Sequence, residues 1–419
     1  MTTSRNPASL ASRPPPASLH PDNRAYFPAL DGVRAVAFLM VFATQYLQLP
    51  WGWTGVNAFF VLSGFLITGI LYDTRGQPHR IANFYLRRAL RIFPLYYGLI
   101  LLLVLLYPIF GWQWSWAWLI WPGYLGNMAR LLPPGAPGSH TATLEFARLV
   151  SQTFPKVQLY LGHLWSLCVE EQFYLVWPLV VFGAGGVGGA VARRRLIGVC
   201  AAGIVVLPLL RVLADHRLAS AVIENAALIT VTPLPFDALL LGALIALMRR
   251  GPGAFRALPL VRICFAALTT VFLIWIVRHP TAGHASVPYA YPSGTFTWGL
   301  SLIDLLAGCI MFMALERGSL TYRLFSLRPL RWLGRISYGA YVFHDILHGL
   351  IARLFQHYTT HWILPTAAAG LASAVLLAWG SYSWLEMPFI RLKDRWTIQS
   401  ASVGRISQSV APDRARSVA

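Results

Sequence analysis

Apolar runs long enough to cross a bilayer recur along almost the whole of this sequence, and no other feature narrows its fold so far. A helix needs about 20 mostly apolar residues to span ~30 Å of hydrocarbon. The runs are continuous rather than alternating, which points to α-helices and away from a β-barrel. Composition agrees: 56% of the 419 residues are hydrophobic and only 12% are charged, against about 25% in ordinary soluble domains. The pattern predicts an all-α polytopic membrane protein with about ten transmembrane helices, near residues 30–48, 54–73, 92–109, 164–183, 196–213, 226–248, 262–278, 297–315, 335–356 and 362–386.

The net charge of +19 follows a topological rule. Arg75, Arg80, Arg87, Arg88 and Arg91 share one loop, Arg193 to Arg195 the next on that side, and Arg249, Arg250, Arg256 and Arg262 the third. Arg317, Arg323, Arg328, Arg331 and Arg335 follow, then Arg391, Lys393 and Arg395. Positive residues mark cytoplasmic loops, so both termini are expected in the cytoplasm and the chain in the inner (plasma) membrane, crossing it many times. No aromatic-basic module is visible, so the charge is read as topology and not as nucleic-acid binding. The four cysteines, Cys168, Cys200, Cys264 and Cys309, fall in or beside expected spans without a CxxC pair, so neither a disulfide framework nor a metal site is expected.

Residues 1–28 carry Pro14 to Pro16 and several arginines with no apolar core before residue 29; they read as a disordered basic arm and not as a signal peptide. The transmembrane unit is expected over 29–395, and a disordered cytoplasmic tail over 396–419. Residues 112–127, "WQWSWAWLIWPGYLGN", are rich in Trp. A full span there would move Arg193 to Arg195 outside, so the segment is expected to lie as an aromatic helix at the outer interface. The following stretch, 128–162, is then the longest outer segment and a candidate lid or acceptor-binding loop.

Polar groups inside the spans need an explanation, because an ionisable side chain there costs roughly 2.5–3.5 kcal/mol on insertion scales. The first span, "LDGVRAVAFLMVFATQYLQL", holds Asp31, Arg34 and Gln45. Arg34 and Gln45 are about three turns apart on one face, roughly 16 Å along the axis, and Asp31 is spaced to pair with Arg34. In "LGHLWSLCVEEQFYLVWPL", His163, Ser166, Glu170, Tyr174 and Trp177 follow helical spacing, with Glu171 beside them and Trp165 and Phe173 around them. The plain alternative is a pair of solvated acids near a helix N-terminus. In "RISYGAYVFHDILHGL", Ser337, Tyr341, His344 and His348 form one polar stripe. His344 falls about 13 Å in from Arg335, where a neutral imidazole suits general-base work, although a lone buried His is more often structural. The stretch "HRIANFYLRRALRIFPLYY" holds Arg80, Arg87, Arg88 and Arg91, either as topology alone or as a cradle for a phosphate-bearing donor.

Seven stretches together resemble, in order, the acyltransferase 3 family: "LDGVRAVAFLMV", "TGVNAFFVLSGFLITGIL", "FYLRRALRIFPLYY", "LGHLWSLCVEEQFYLVWPL", "LPFDALLLGALIAL", "RWLGRISYGAYVFHDIL" and "SYSWLEMPFIRLK". The resemblance runs from about residue 27 to 395. It implies an integral membrane enzyme of about ten spans that moves an acyl group, commonly acetyl, from cytosolic acyl-CoA to a hydroxyl of a sugar, glycolipid, cell-wall polymer or macrolide. Acyl-CoA is then a co-substrate, and no tightly bound cofactor or metal is expected. Some family members carry a secreted esterase-like domain at the C-terminus, which a chain of 419 residues is expected to lack.

The family's first helix has Arg, ten residues, then His. Arg34 fits, but Gln45 stands at the His position. An amide cannot take up a proton, so Gln45 can orient a carbonyl or hydroxyl but cannot act as base. The resemblance carries Ser63, Glu170, Glu171 and His344 onto family motifs. Expected roles follow: His344, then Glu170 or Glu171, in proton chemistry with Arg34 and Gln45; Ser63, Trp165, Ser166, Tyr174 and Tyr341 toward substrate; Arg87, Arg88 and Arg91 toward the donor. Two other readings stand beside this one: a family member without chemistry that serves as a binding or scaffold subunit, and a transporter of lipid-linked sugars, although paired broken helices are not evident.

Overall fold

A computed structural model describes residues 26–112, 116–131, 148–150, 153, 158–185, 189–218, 227–253, 256–279, 291, 294–356 and 363–396. The expected basic arm up to residue 25, the tail from 397 and much of the candidate lid, 132–147, lie outside these residues.

The helices are α1 (Pro28–Leu47), α2 (Gly55–Asp73), α3 (Arg80–Phe110), α4 (Trp165–Gly185), α5 (Ala190–Leu218), α6 (Ala227–Thr230), α7 (Phe236–Arg249) and α8 (Leu258–Arg278). They continue as α9 (Leu300–Ala314), α10 (Leu320–Phe325), α11 (Arg328–Arg335), α12 (Ser337–Ile346), α13 (His348–Gln356), α14 (Ile363–Gly380) and α15 (Met387–Trp396). Seven helical stretches among the described residues are long and apolar enough to cross a membrane: Pro28–Leu47, Gly52–Asp73, Arg80–Phe110, Ala190–His216, Leu258–Arg278, Thr295–Ala314 and Ile363–Leu392. Exposed Leu101 and Leu105 on α3, Val205 and Leu209 on α5, and Ile263, Leu273 and Val277 on α8 give the outer helices the apolar surface that lipid requires.

Four expectations are corrected. The span expected at 226–248 is broken into α6 and α7 by a turn at 231–235, where Pro233 and Pro235 withhold backbone donors. The span expected at 335–356 is divided into α12 and α13, so His348 starts a new helix and the four-residue polar stripe ends at His344. The arginine stretch before residue 92 is not a loop; it forms the first turns of α3, whose 31 residues reach about 46 Å, well beyond the hydrocarbon thickness. The aromatic segment forms two 3-10 turns, Trp116–Ile120 and Gly126–Leu131, in place of an interfacial helix. Its Trp112, Trp118, Trp121 and Tyr124 are buried against α3 and α4, because Trp serves a protein core as well as a membrane interface. A small antiparallel hairpin, β1 (Arg148–Val150) with β2 (Gln158–Tyr160), adds the only strands among the described residues, with Leu149 opposite Leu159.

The centre of the fold is α1, α2 and α7. Phe38, Val61, Ile67, Leu71, Leu239 and Leu247 are nearly inaccessible there. Water-soluble folds gain from expelling water at such a core. Here lipid is as apolar as leucine, and close backbone approach supplies the attraction instead. A Cβ added at Gly64 would overlap the carbonyl of Leu239, and one at Gly242 would overlap the carbonyl of Val61, so α2 and α7 meet at van der Waals distance. The same device joins α11 to α1, where Gly334 lies on the carbonyl of Asp31.

Polar clamps complete the frame. Arg211 of α5 is fully buried and donates to both carboxylate oxygens of Asp237 at 2.8 and 2.6 Å, to the Leu234 carbonyl at 2.9 Å and to Ser301 at 2.7 Å. Asn57 of α2 donates to Asp304 of α9 at 2.6 Å.

Gly64→Ala should therefore force α2 and α7 apart and cost roughly 1–3 kcal/mol, the usual range for overpacking. Gly183 has open space about it, and Gly183→Ala should be neutral or gain up to about 1 kcal/mol of helix propensity. Melting temperatures of the two detergent-purified variants check both signs.

Candidate active site

Two cavities meet near the middle of the bundle. The larger, about 600 Å3, is enclosed by α1, α2, α3, α4, α11 and α12. Arg34, Arg88, Arg91, Arg331 and Arg335 face Asp31, Glu170 and Glu171 across it, an excess of positive charge. The smaller, about 280 Å3, holds Thr44, Gln45, Trp53, His163 and Trp165 on its walls. Among the described residues, Val56 and Tyr341 are the only two that line both. They stand where the two cavities adjoin, as a partition between them.

The helix spacing explains which side chains arrive there. On α4, Ser166, Glu170 and Tyr174 recur every four residues and all line the larger cavity, with Glu171 beside them. Trp177, one turn further, turns instead into the core, where its Nε1 donates to Thr68 Oγ1 at 2.8 Å. On α1, Arg34 and Gln45 share a face as their spacing requires, but the length between them delivers Arg34 to the larger cavity and Gln45 to the smaller. On α11, Arg331 and Arg335 are one turn apart, and the Gly334 contact with α1 holds them opposite Asp31 and Arg34.

Within the larger cavity the polar groups are linked. Tyr26 donates to Asp31 Oδ2 at 2.6 Å, and Arg34 Nη1 stands 3.4 Å from Asp31 Oδ1. Tyr174 donates to Glu170 Oε2 at 2.8 Å. The Ser63 hydroxyl is hydrogen-bonded to the Tyr174 hydroxyl. The Arg88 guanidinium lies 3.4 Å over the Tyr174 ring, a cation–π contact that attaches the arginine turns of α3 to α4. At the partition, Ser166 and Tyr341 share a hydrogen bond of 2.6 Å, and Tyr341 also donates to the His163 carbonyl at 3.0 Å.

Of the residues expected at a site, Arg34, Ser63, Arg88, Arg91, Ser166, Glu170, Glu171, Tyr174 and Tyr341 line the larger cavity, whereas Gln45 and Trp165 line the smaller. Arg87 lines neither. Nor does His344, the residue expected first in proton chemistry. It is 1% exposed, with the rings of Phe38, His163 and Tyr341 around it. Its Nδ1 donates to the Tyr341 carbonyl at 2.6 Å, and its Nε2 has no partner. The imidazole expected to meet substrate thus stands behind the partition.

Tyr26, Arg331 and Arg335 at the larger cavity and Thr44 at the smaller were not expected there, and His163, from the expected α4 stripe, lines the smaller one. The i, i+4 spacing in "RWLGR" was a readable signal that two arginines share one face, but their value as topology markers hid it. His163 Nδ1 lies 3.4 Å from the Asp345 carboxylate, and its Nε2 donates to the Val342 carbonyl at 3.0 Å.

Comparison with known proteins gives the architecture a place. An acyltransferase domain of the acyltransferase 3 type matches residues 27–383. The peptidoglycan O-acetyltransferase OatA of Listeria monocytogenes is 27% identical over 386 residues, covering 87% of this chain and 56% of that protein. The putative peptidoglycan O-acetyltransferase YrhL of Bacillus subtilis is 28% identical over 348 residues, covering 76% of this chain and 48% of the relative. The O-acetyltransferase OatA of Staphylococcus aureus is 26% identical over 392 residues, with 87% of this chain and 57% of the relative covered. The chain therefore spans about half the length of the curated relatives it matches. No solved structure matches it. With the family's domain covering most of its length and its polar residues gathered about one arginine-rich cavity, this chain belongs to the acyltransferase 3 family.

Proposed function

We propose that the protein is a membrane O-acyltransferase that moves an acetyl group from acyl-CoA to a hydroxyl of a cell-wall polymer. The observation that carries this reading is the larger cavity, where five guanidiniums and the Ser63–Tyr174–Glu170 chain share one space. Its volume of about 600 Å3 falls in the usual range for small-molecule sites, ~300–1,000 Å3. Arginine binds phosphate oxygens through paired N–H groups, so a phosphate-rich donor such as acyl-CoA suits Arg88, Arg91, Arg331 and Arg335. Peptidoglycan as the acceptor class rests on what the relatives are named for.

The arginine-lined end is the cytoplasmic one on this reading, since positive residues mark the inner side. Tyr26, next to the chain's N-terminal arm, sits at that end and supports a cytoplasmic N-terminus. The reading takes α4, the α6–α7 pair and the α11–α13 run as further crossings beside the seven long stretches, about ten in all. An even number of crossings puts both termini on one side, which on this reading is the cytoplasmic side. The smaller cavity then opens toward the outer side and admits the acceptor, with Trp53 and Trp165 as apolar walls and Gln45 as a hydrogen-bonding group.

Chemistry is assigned to the larger cavity, with the acceptor hydroxyl reaching it past Val56 and Tyr341. A thioester carbonyl held near Ser63 and Tyr174 faces the Glu170 carboxylate, and the nearby guanidiniums favour the negative charge that develops on the carbonyl oxygen. Glu170 takes the base role that Gln45 cannot fill, worth typically 10²–10⁴ in rate. His344 is given a positioning role: its Nδ1–H on the Tyr341 carbonyl steadies the α12 turn that carries the Tyr341 ring.

Detergent-purified protein incubated with acetyl-CoA and a muropeptide acceptor should yield acetylated muropeptide by mass spectrometry. Donor binding without turnover under any acceptor would instead favour a binding subunit that has lost its chemistry. Arg88→Ala and Arg91→Ala should each raise the KM for acetyl-CoA roughly 10- to 150-fold with kcat less affected, since each removes ~1.5–3 kcal/mol of charge-assisted hydrogen bonding. Glu170→Gln should keep acetyl-CoA affinity, read by calorimetry, and lose turnover by about 10²-fold or more. Unchanged turnover in Glu170→Gln would remove the carboxylate from the mechanism.

A further inference from the structure

We propose that Ser63 is a nucleophile that carries the acyl group as an ester between the donor thioester and the acceptor hydroxyl, with Tyr174 and Glu170 as its proton relay. The inference rests on the acyltransferase reading above and goes beyond it, because that reading is satisfied equally by direct transfer in a single step.

The hydrogen-bond chain fixes its own direction. An ionised carboxylate only accepts, so the bond between Tyr174 and Glu170 Oε2 is donated by the phenol. A phenol has one proton. The bond between Ser63 and Tyr174 is therefore donated by the serine. The serine proton is thus already aimed along a path that ends at a carboxylate, which is the arrangement an activated hydroxyl nucleophile needs.

Placement adds to the case. Ser63 is mid-helix on α2, and its neighbour Gly64 is pressed against the Leu239 carbonyl, so the backbone that bears the hydroxyl has no room to shift. The side chain still lines the larger cavity, with Arg34 and Arg88 in the same space to favour an oxyanion. On the acceptor side Gln45 is no base, and His163 is engaged with the Val342 carbonyl and Asp345, so a hydroxyl attacking from the smaller cavity meets no free one. A covalent intermediate removes the need for one there, because both half-reactions use the single relay on the donor side.

The steps balance. Ser63 Oγ forms a bond to the thioester carbonyl carbon, and the C–S bond breaks. The Ser63 proton moves to the Tyr174 oxygen as the Tyr174 proton moves to Glu170, and the relay then returns one proton to the departing sulfur as a thiol. In the second half, the acceptor oxygen bonds to the same carbonyl carbon, the bond to Ser63 Oγ breaks, and the acceptor's proton ends on Ser63. No oxidant or metal enters either half.

The test uses the full chain in detergent with acetyl-labelled acetyl-CoA and no acceptor, quenched in acid and mapped by peptide mass spectrometry. One acetyl group is expected on the peptide containing Ser63, discharged by added muropeptide at least as fast as steady-state turnover. Ser63→Ala should bind acetyl-CoA, melt like the wild type and carry no label. Ser63→Cys should trap a hydroxylamine-labile thioester at the same position, and Glu170→Gln should acylate about 10²-fold more slowly or worse. Acetyl transfer by the wild type with no label on Ser63, and turnover in Ser63→Ala within a few fold of wild type, would overturn the covalent step while leaving the transferase reading intact. A wild type that binds acetyl-CoA yet neither labels nor transfers would overturn both.

Discussion

Hydrocarbon offers a polar group no partner, so a charge between these helices has to be answered by another part of the protein. That demand organises the frame. Arg211, fully buried, is held by both oxygens of Asp237, by a carbonyl in the turn before α7 and by Ser301, so one guanidinium ties α5, α7 and α9 together. Asn57 ties α2 to α9 through Asp304. These clamps, with the glycine contacts of α2 on α7, fix where Ser63 stands. The site is in this sense a consequence of where charges had to be paired.

The helices that face lipid were the most legible part of the sequence. Runs such as 92–109 and 262–278 are apolar on every face because α3 and α8 expose Leu105, Ile263 and Val277 to the surroundings. Legibility fell wherever a residue type has two uses. Tryptophan suits an interface and a core alike, so the 112–127 segment was expected at the membrane surface although Trp112 and Trp121 are buried. Arginine marks a cytoplasmic loop and binds phosphate alike, so Arg331 and Arg335 were counted and not placed. The clamp residues Arg211, Asp237 and Asp304 attracted no notice, since a single charge in a long apolar run gives no indication of its partner.

The candidate site shows the same division. Spacing along α4 correctly put Ser166, Glu170 and Tyr174 on one face, because periodicity within a helix is local information. His344 shares a stripe with Tyr341 by the same arithmetic, yet the stripe faces α1 and α4 at different depths. Tyr341 reaches the cavities while His344 meets Phe38 and His163. Which stretch of a helical face opens onto empty space is decided by the neighbouring helices, and that is long-range information a single helix does not contain.

The partition of Val56 and Tyr341 has an electrical meaning. Water and ions that fill two opposed cavities carry the potential of their own compartment almost to the cavity floor. If the cavities open to opposite sides, as proposed above, much of the voltage across the membrane would fall near Val56 and Tyr341 instead of evenly over ~30 Å of hydrocarbon. The field there would act along the line that joins Arg34 on one side to Gln45 on the other. A bond or proton displaced along that line does electrical work against the cell's own potential, ~2.3 kcal/mol for a full unit charge carried across 100 mV.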